Sequence, residues 1–203
     1  MKRLFDVAAV IATAPLWLPL LLVVALLVRV KLGSPVLFRQ RRPGRDAVIF
    51  ELVKFRTMRE ARDAAGRMLP DAERLAPFGR WLRATSLDEV PELWNVLRGD
   101  MSLVGPRPLL VQYLGRYSPR QARRHEVRPG LTGLAQVMGR NAISWEERLE
   151  WDVRYVETHG LRLDAKILLL TFKAVLLRTG VSAHGEATMP EFNPGATRPD
   201  SST

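Results

Sequence analysis

VAAVIATAPLWLPLLLVVALLV, residues Val7 to Val28, decides the fold class of this chain. About 22 residues pass without a charge, and Thr13 is the only conventionally polar side chain among them. As a helix the run is roughly 33 Å long, enough for a bilayer core of about 30 Å. Ala12-Thr13-Ala14 resembles a signal-peptide cleavage box, but too few apolar residues precede it and a longer apolar stretch follows. The expectation is therefore a retained anchor. Pro15 and Pro19 interrupt it, and each removes a backbone donor and bends a helix. Basic residues flank both ends, with Lys2 and Arg3 before and Arg29, Lys31, Arg39, Arg41 and Arg42 after. The positive-inside rule thus gives no orientation. Two readings stay open: a kinked single span, or a helix that breaks near Pro19 and returns to the face it entered from.

Working outward, the composition narrows the partners. The 203 residues suit one domain plus an appendage. A net charge of +10 points to anionic partners: nucleic acid, anionic lipid or phosphorylated substrates. Cysteine is absent, which excludes disulfides and thiolate metal sites.

After the apolar run, Val36 to Gln40 and Ala47 to Met58 read as strands. The turn Arg41-Arg42-Pro43-Gly44-Arg45-Asp46 between them predicts a hairpin. Glu60 to Leu75 predicts helix-loop-helix, interrupted at Gly66 and Pro70, and Phe78 to Arg83 a short helical turn. Val90, Leu93, Trp94 and Leu97 recur at helical spacing, with Gly99 as a stop. Ser86 or Asp88 caps that helix. Further helices are expected over Leu109 to Tyr117, Pro119 to His125, Trp145 to Glu157 and Leu163 to Arg178, with a loop from Arg128 to Gly133. The last helix is basic and amphipathic, which suits either a bilayer surface or packing on the core. From Ser182 onward Gly, Pro, Ser and Thr accumulate and a loose tail is expected.

The chemistry concentrates at Ser86-Leu87-Asp88-Glu89 and Gly105-Pro106-Arg107-Pro108. Ser-x-x-Glu before an apolar run is a capping box. Two adjacent carboxylates at a helix N-terminus also suit phosphate chemistry. As a nucleophile, Asp88 attacking a phosphoanhydride gives an acyl phosphate, so two matched displacements replace one three-body encounter. Arg107, fixed between two prolines, is the candidate cation for the transferred phosphate, or else an exposed turn residue. Lys54 and Arg56 either meet phosphate too or form a half-solvated strand face. Asp88, Glu89 and Asp100 offer the oxygen ligands that Mg²⁺ prefers. Arg128 and Arg140 lie near Gly130-Leu131-Thr132-Gly133, a formal match to the GxxG of a KH module. The βααβ context of that module is missing, so nucleic acid is not an expected partner. No Walker loop, GxGxxG or zinc-ligand spacing occurs.

Lys54-Phe55-Arg56-Thr57-Met58, Ser86-Leu87-Asp88-Glu89, the stretch from Asn95 to Ser102, Gly105-Pro106-Arg107-Pro108 and Arg128-Pro129-Gly130-Leu131-Thr132-Gly133 occur in one order. With Asn141-Ala142-Ile143-Ser144-Trp145, they make a chain that resembles the small monotopic phosphoglycosyl transferases, or bacterial sugar transferases, of the PglC type. The resemblance covers roughly Lys2 to Asn193. It implies transfer of a phosphosugar from a UDP-sugar to undecaprenyl phosphate with release of UMP. In that reading Asp88 is the covalent nucleophile, Glu89 is tied to Mg²⁺ and to the acceptor phosphate, and Arg107 holds phosphate. The family's re-entrant helix breaks at a Ser-Pro pair, where this chain has Leu18-Pro19.

The expected architecture is thus an α/β fold, mainly helical with a short β-hairpin, in a single compact domain. Residues 1–34 are the re-entrant anchor, 35–181 the catalytic domain with interfacial helices, and 182–203 the tail. Asp88 and Glu89 are the expected catalytic pair; Arg107, Lys54, Arg56, Arg128 and Arg140 bind substrate; Asp88, Glu89 and Asp100 hold Mg²⁺. Expected partners are a UDP-sugar, undecaprenyl phosphate and bilayer lipids, with a homodimer left open. The expected location is the cytoplasmic face of a bacterial inner membrane.

Overall fold

Pro15 divides the long apolar run. A helix continued past Ala12 would need an amide hydrogen on Pro15 for the carbonyl of Ile11, and proline has none. In the computed structural model, which describes residues 1–139, 143–177 and 191–193, α1 (Lys2–Ala12) ends there and α2 (Ala14–Leu32) begins. Thr13 stands between them and its hydroxyl donates back to the carbonyl of Ala9 at 2.8 Å. The indole of Trp17 donates to the carbonyl of Val10 at 2.9 Å. The break expected near Pro19 is therefore at Thr13, because that is where the freed carbonyls find donors, while Pro19 sits inside α2.

Both ends of this helical pair are tied to one domain. Lys2 pairs with buried Asp164 at 2.6 Å, and Arg3 donates to the carbonyls of Val96 and Leu97. Asp6 accepts from the Ser102 hydroxyl at 2.8 Å. Beyond the other end, Arg56 donates to the carbonyls of Leu32 and Ser34. Between these ties α2 is long and apolar enough to cross a membrane, yet only 11 % of it is buried. Leu16, Leu22, Val23, Leu26 and Val30 face outward.

The hairpin pairs β1 (Leu37–Pro43) with β2 (Ile49–Phe55) in antiparallel register, Leu37 opposite Phe55 and Pro43 opposite Ile49. Its turn is shorter than expected, because Asp46 and Ala47 adopt positive φ and close it tightly. From Glu60 to Leu75 the two expected helices reduce to one turn, α3 (Asp71–Arg74). The Asp63 side chain accepts the amides of Ala65 and Arg67, which holds that stretch as a turn instead. α4 (Pro77–Ala84) follows, and then a 3-10 turn, Leu87–Glu89, leads into α5 (Glu92–Arg98).

A second sheet is unexpected. β3 (Ser102–Val104) pairs in parallel with β4 (Gly130–Thr132), which the sequence reads as loop. Between them lie a 3-10 helix, Val111–Arg116, within the expected helical stretch Leu109 to Tyr117, then α6 (Pro119–Ala122) and a 3-10 turn, Arg123–His125. Gly105 and Gly130 make this approach possible. A Cβ on Gly105 would lie 2.4 Å from the carbonyl oxygen of Arg128, and one on Gly130 only 2.0 Å from the nitrogen of Gly105. The glycines of both motifs therefore let two backbones touch.

α7 (Leu134–Met138), α8 (Trp145–Thr158) and α9 (Leu161–Leu176) complete the fold. On α9, Ile167 is buried with Val104, Leu134 and Tyr155, whereas Leu169 and Phe172 face outward. The helix packs on the core through one face and keeps an apolar face free. The tail is not loose throughout, because Phe192 is only 1 % exposed. The mainly helical expectation holds, with two small sheets in place of one.

Candidate active site

Asn95 sets the distance between the two halves of the site. Buried on α5, its side chain accepts the amide of Val53 at 3.1 Å and donates to the carbonyl of Glu51 at 2.8 Å. It thus pairs with β2 as another strand would, and α5 is docked so that its first turn faces Lys54. The capping box is not formed. Ser86 adopts a left-handed conformation (φ 55°) and gives no side-chain cap; its carbonyl instead accepts the amide of Glu89 at 3.2 Å. That turn projects Asp88 and Glu89 before α5 begins at Glu92.

Three carboxylates and two cations meet there. Lys54 Nζ lies 2.9 Å from Glu89 Oε1 and 2.9 Å from Glu92 Oε1. Arg107 grips Glu89 with both terminal nitrogens, Nη1 at 3.4 Å from Oε2 and Nη2 closer still on Oε1. Glu92, absent from the sequence expectations, is 2 % exposed and Asp88 8 %. The signal for Glu92 is present in the sequence, since i+3 from Glu89 puts it on the same helical face.

The electrostatics separate the neighbours. Burial would raise the pKa of Glu89, but the charges of Arg107 and then Lys54 outweigh it and hold Glu89 well below the ordinary carboxylate range. Burial, and then the negative charge of Glu89, push Asp88 up to about 6, only partly opposed by Lys54, Arg107 and Arg83. Glu92 is raised to about 7, mainly by burial. Among the described residues no side chain hydrogen-bonds or pairs with the Asp88 carboxylate. Such a buried, uncommitted carboxylate beside cations that attract phosphate has the character of a nucleophile.

Arg107 is held from behind. Arg124, buried against Asp152 at 2.7 Å, donates to the Arg107 carbonyl at 2.6 Å, and Arg42 donates to the Pro108 carbonyl at 3.2 Å. The flanking prolines have no amide hydrogens for such a network, so side chains anchor the loop through its carbonyls.

The remaining expected site residues lie elsewhere. Arg56 ties down the end of α2, through the carbonyls already described. Arg128 donates to the Gly99 carbonyl at 2.8 Å and lines a separate cavity with Arg3 and Ser102. Asp100 follows the far end of α5, where it accepts from Asn95 at 3.1 Å and pairs with Arg98 at 3.5 Å. Among the described residues, no cluster of three side chains of His, Cys, Asp or Glu type is arranged to hold a metal, and Asp100 stands at the opposite end of α5 from Asp88 and Glu89. Arg140, with Asn141 and Ala142, lies outside the described residues.

Comparison with known proteins follows the same pattern. The family described as bacterial sugar transferase matches residues 1–178. The uncharacterized sugar transferase EpsL of Bacillus subtilis is 51 % identical over 192 residues, which is 95 % of either chain. The UDP-glucose:undecaprenyl-phosphate glucose-1-phosphate transferase of Caulobacter vibrioides is 42 % identical over 186 residues, 86 % of this chain and 69 % of that one. The exopolysaccharide production protein ExoY of Rhizobium meliloti is 38 % identical over 196 residues, 88 % of this chain and 87 % of its own. Several longer relatives are matched over less than half of their length.

Proposed function

The chain belongs to the bacterial sugar transferase family, and we propose that it moves a phosphosugar from a UDP-sugar to undecaprenyl phosphate with release of UMP. The observation that carries this reading is the split between Asp88 and Glu89. One carboxylate is committed to two cations and the other is buried and uncommitted.

The proposed reaction has two displacements at one phosphorus. An Asp88 carboxylate oxygen attacks the phosphorus that bears the sugar. The bond from that phosphorus to the UMP oxygen breaks, and UMP leaves. A phosphate oxygen of undecaprenyl phosphate then attacks the same phosphorus. The acyl phosphate bond breaks, Asp88 recovers its carboxylate, and the sugar leaves on a lipid diphosphate. Arg107 and Lys54 face the charge that gathers on the phosphoryl oxygens, already oriented by Glu89, so little reorganisation is needed when the donor arrives. Glu89 is held too acidic to serve as a base at neutral pH. Its role is to fix the cations.

Mg²⁺, if the reaction uses it, would be held by the Asp88 and Glu89 carboxylates together with donor phosphate oxygens, since magnesium commonly uses one or two carboxylates plus substrate phosphates. When bound, it supplies neutralisation of diphosphate charge. Asp100 has no part in that set.

The anchor belongs to this mechanism. A soluble donor and a lipid-borne phosphate must meet at headgroup depth. We place the protein on the cytoplasmic face of a bacterial inner membrane as a monotopic enzyme, with α1 and α2 entering and leaving on one side. The ties of both anchor ends to one domain support this, as do the basic residues at both ends, each worth about 1 kcal/mol at an anionic leaflet. The outward apolar face of α9 lies on the same bilayer. The reaction is the first membrane step in assembling a glycoconjugate.

The direct test supplies the full chain in lipid nanodiscs with undecaprenyl phosphate and a panel of UDP-sugars, and measures UMP. Sustained UMP release that requires undecaprenyl phosphate, with no more than about one equivalent per enzyme from the donor alone, supports the proposal. Release of free sugar phosphate without lipid makes the protein a phosphatase and overturns it.

A further inference from the structure

Phe192 lies beyond the residues 1–178 matched by the family, yet it is among the most deeply buried rings of the chain. Its ring stacks on Tyr117 with centroids 5.8 Å apart, meets Tyr113 edge-on at 5.7 Å and Trp145 at 5.4 Å. Backbone bonds seat it as well. The Phe192 amide donates to the Tyr113 hydroxyl at 3.3 Å, and Arg116 donates to the Phe192 carbonyl at 2.6 Å. Arg116 also pairs with Glu191 at 2.8 Å. Aromatic clusters with such geometry are rigid, because each ring has few torsions and packs at a preferred angle.

The box that Phe192 closes stands behind Arg107. The Arg124 guanidinium lies 5.6 Å from the centre of the Tyr117 ring and donates to the Tyr117 hydroxyl at 3.4 Å. The same guanidinium holds the Arg107 carbonyl. Leu109, two residues beyond Arg107, is buried in one cluster with Tyr113 and Phe192. Two routes, one polar and one apolar, therefore connect the tail to the loop that carries the phosphate-holding arginine.

We infer that Phe192 is a positioning residue for Arg107: closing the box of Tyr113, Tyr117 and Trp145, it fixes the loop that presents the guanidinium to the donor phosphate. This rests on the phosphosugar-transfer reading for its catalytic consequence, but not for its mechanical one. Removing the ring leaves Tyr117 and Leu109 unsupported, so Arg124 and the Arg107 loop lose a wall while Asp88 and Lys54, on other elements, do not. The loss therefore falls on donor binding before acceptor binding.

The experiment uses the full chain in nanodiscs, comparing wild type with Phe192→Ala and Phe192→Leu, and reads hydrogen exchange over residues 103–113 alongside steady-state kinetics. In Phe192→Ala, exchange in that loop should quicken at least about tenfold. The KM for the UDP-sugar should rise by a similar factor, with the KM for undecaprenyl phosphate within twofold of wild type. Phe192→Leu, which keeps apolar volume, should recover most of both. Unchanged loop exchange in a folded Phe192→Ala overturns the inference, even if its melting temperature falls, since the tail is then only a staple. If Phe192→Ala does not fold, Phe192→Val, which removes the ring and more of its volume than leucine does, takes its place, and wild-type loop exchange and donor KM in that variant overturn the inference. Faster loop exchange in a chain that releases no UMP with any donor leaves the mechanical link standing and refutes the functional reading instead.

Discussion

Glu89 and Asp88 are consecutive in the chain and opposite in state: Glu89 is gripped by Arg107 and Lys54, while Asp88, the more deeply buried of the two, pairs with neither. The cations that hold Glu89 ionised leave its charge close to Asp88, where it adds to burial in raising the proton affinity of Asp88. Environments that push neighbouring carboxylates apart assign them different work.

Arg107 is the cation closest to that division. Arg107→Ala should lower UMP release by about 10²- to 10³-fold, the range for losing one preorganised donor at a charged transition state. Circular dichroism should be unchanged, because Arg124 and Arg42 hold the loop through backbone carbonyls. Turnover within threefold of wild type, measured with donor saturating and at low concentration, contradicts the assignment.

The pH profile follows from Asp88. In the proposed mechanism only its ionised form attacks phosphorus, so kcat/KM should fall on the acid side of an apparent pKa near 6. The limb belongs to a coupled cluster and not to one group alone. Glu92→Gln should nevertheless keep it, whereas a limb carried by Glu92 would disappear. The stability effect has the opposite sign. Asp88 binds its proton more tightly folded (about 6) than unfolded (3.8), so the native state loses stability as pH rises between those values. Asp88→Asn should therefore exceed wild type by about 3 kcal/mol at pH 8 and match it below pH 3 in denaturant titrations.

Asn95 is a structural hinge of the site. Asn95→Ala leaves the buried Val53 amide and the partly buried Glu51 carbonyl without that partner and should cost about 1–3 kcal/mol. Urea unfolding measures it; a loss below about 0.5 kcal/mol contradicts the strand-mimicking role.

Arg56 separates anchoring from catalysis. Because it binds Leu32 and Ser34 carbonyls, Arg56→Ala should lower the thermal midpoint and weaken retention in nanodiscs, with the KM for the UDP-sugar unchanged. A large rise in KM at an unchanged midpoint returns Arg56 to the phosphate site.

How far these features were legible in the sequence depends on what each residue has to satisfy. Lys54, Asp88, Glu89 and Arg107 come together because their motifs sit on the hairpin end, the turn before α5 and the loop after β3. Arg56, Arg128 and Asp100 belong to the same motifs but serve backbone carbonyls and the far end of α5. In sequence, an arginine that binds phosphate and one that caps a helix look alike. The Thr13 break required counting donors around Pro15, whereas counting prolines alone favours Pro19. Three-residue strands such as β3 and β4 carry no periodicity; only the glycines, read as close backbone approach, point to them. Glu92 was available at i+3 from Glu89, and its partner, Lys54, lies on another element.

One measurement bears most directly on Asp88. Enzyme mixed with UDP-sugar in the absence of undecaprenyl phosphate is quenched in acid and examined by intact-protein and peptide mass spectrometry. The account predicts one added phosphosugar, carried on the peptide that contains Asp88, lost on adding undecaprenyl phosphate and absent from Asp88→Asn. A wild-type enzyme that turns over fully yet never carries the added mass, with kinetics that require both substrates bound together, contradicts it.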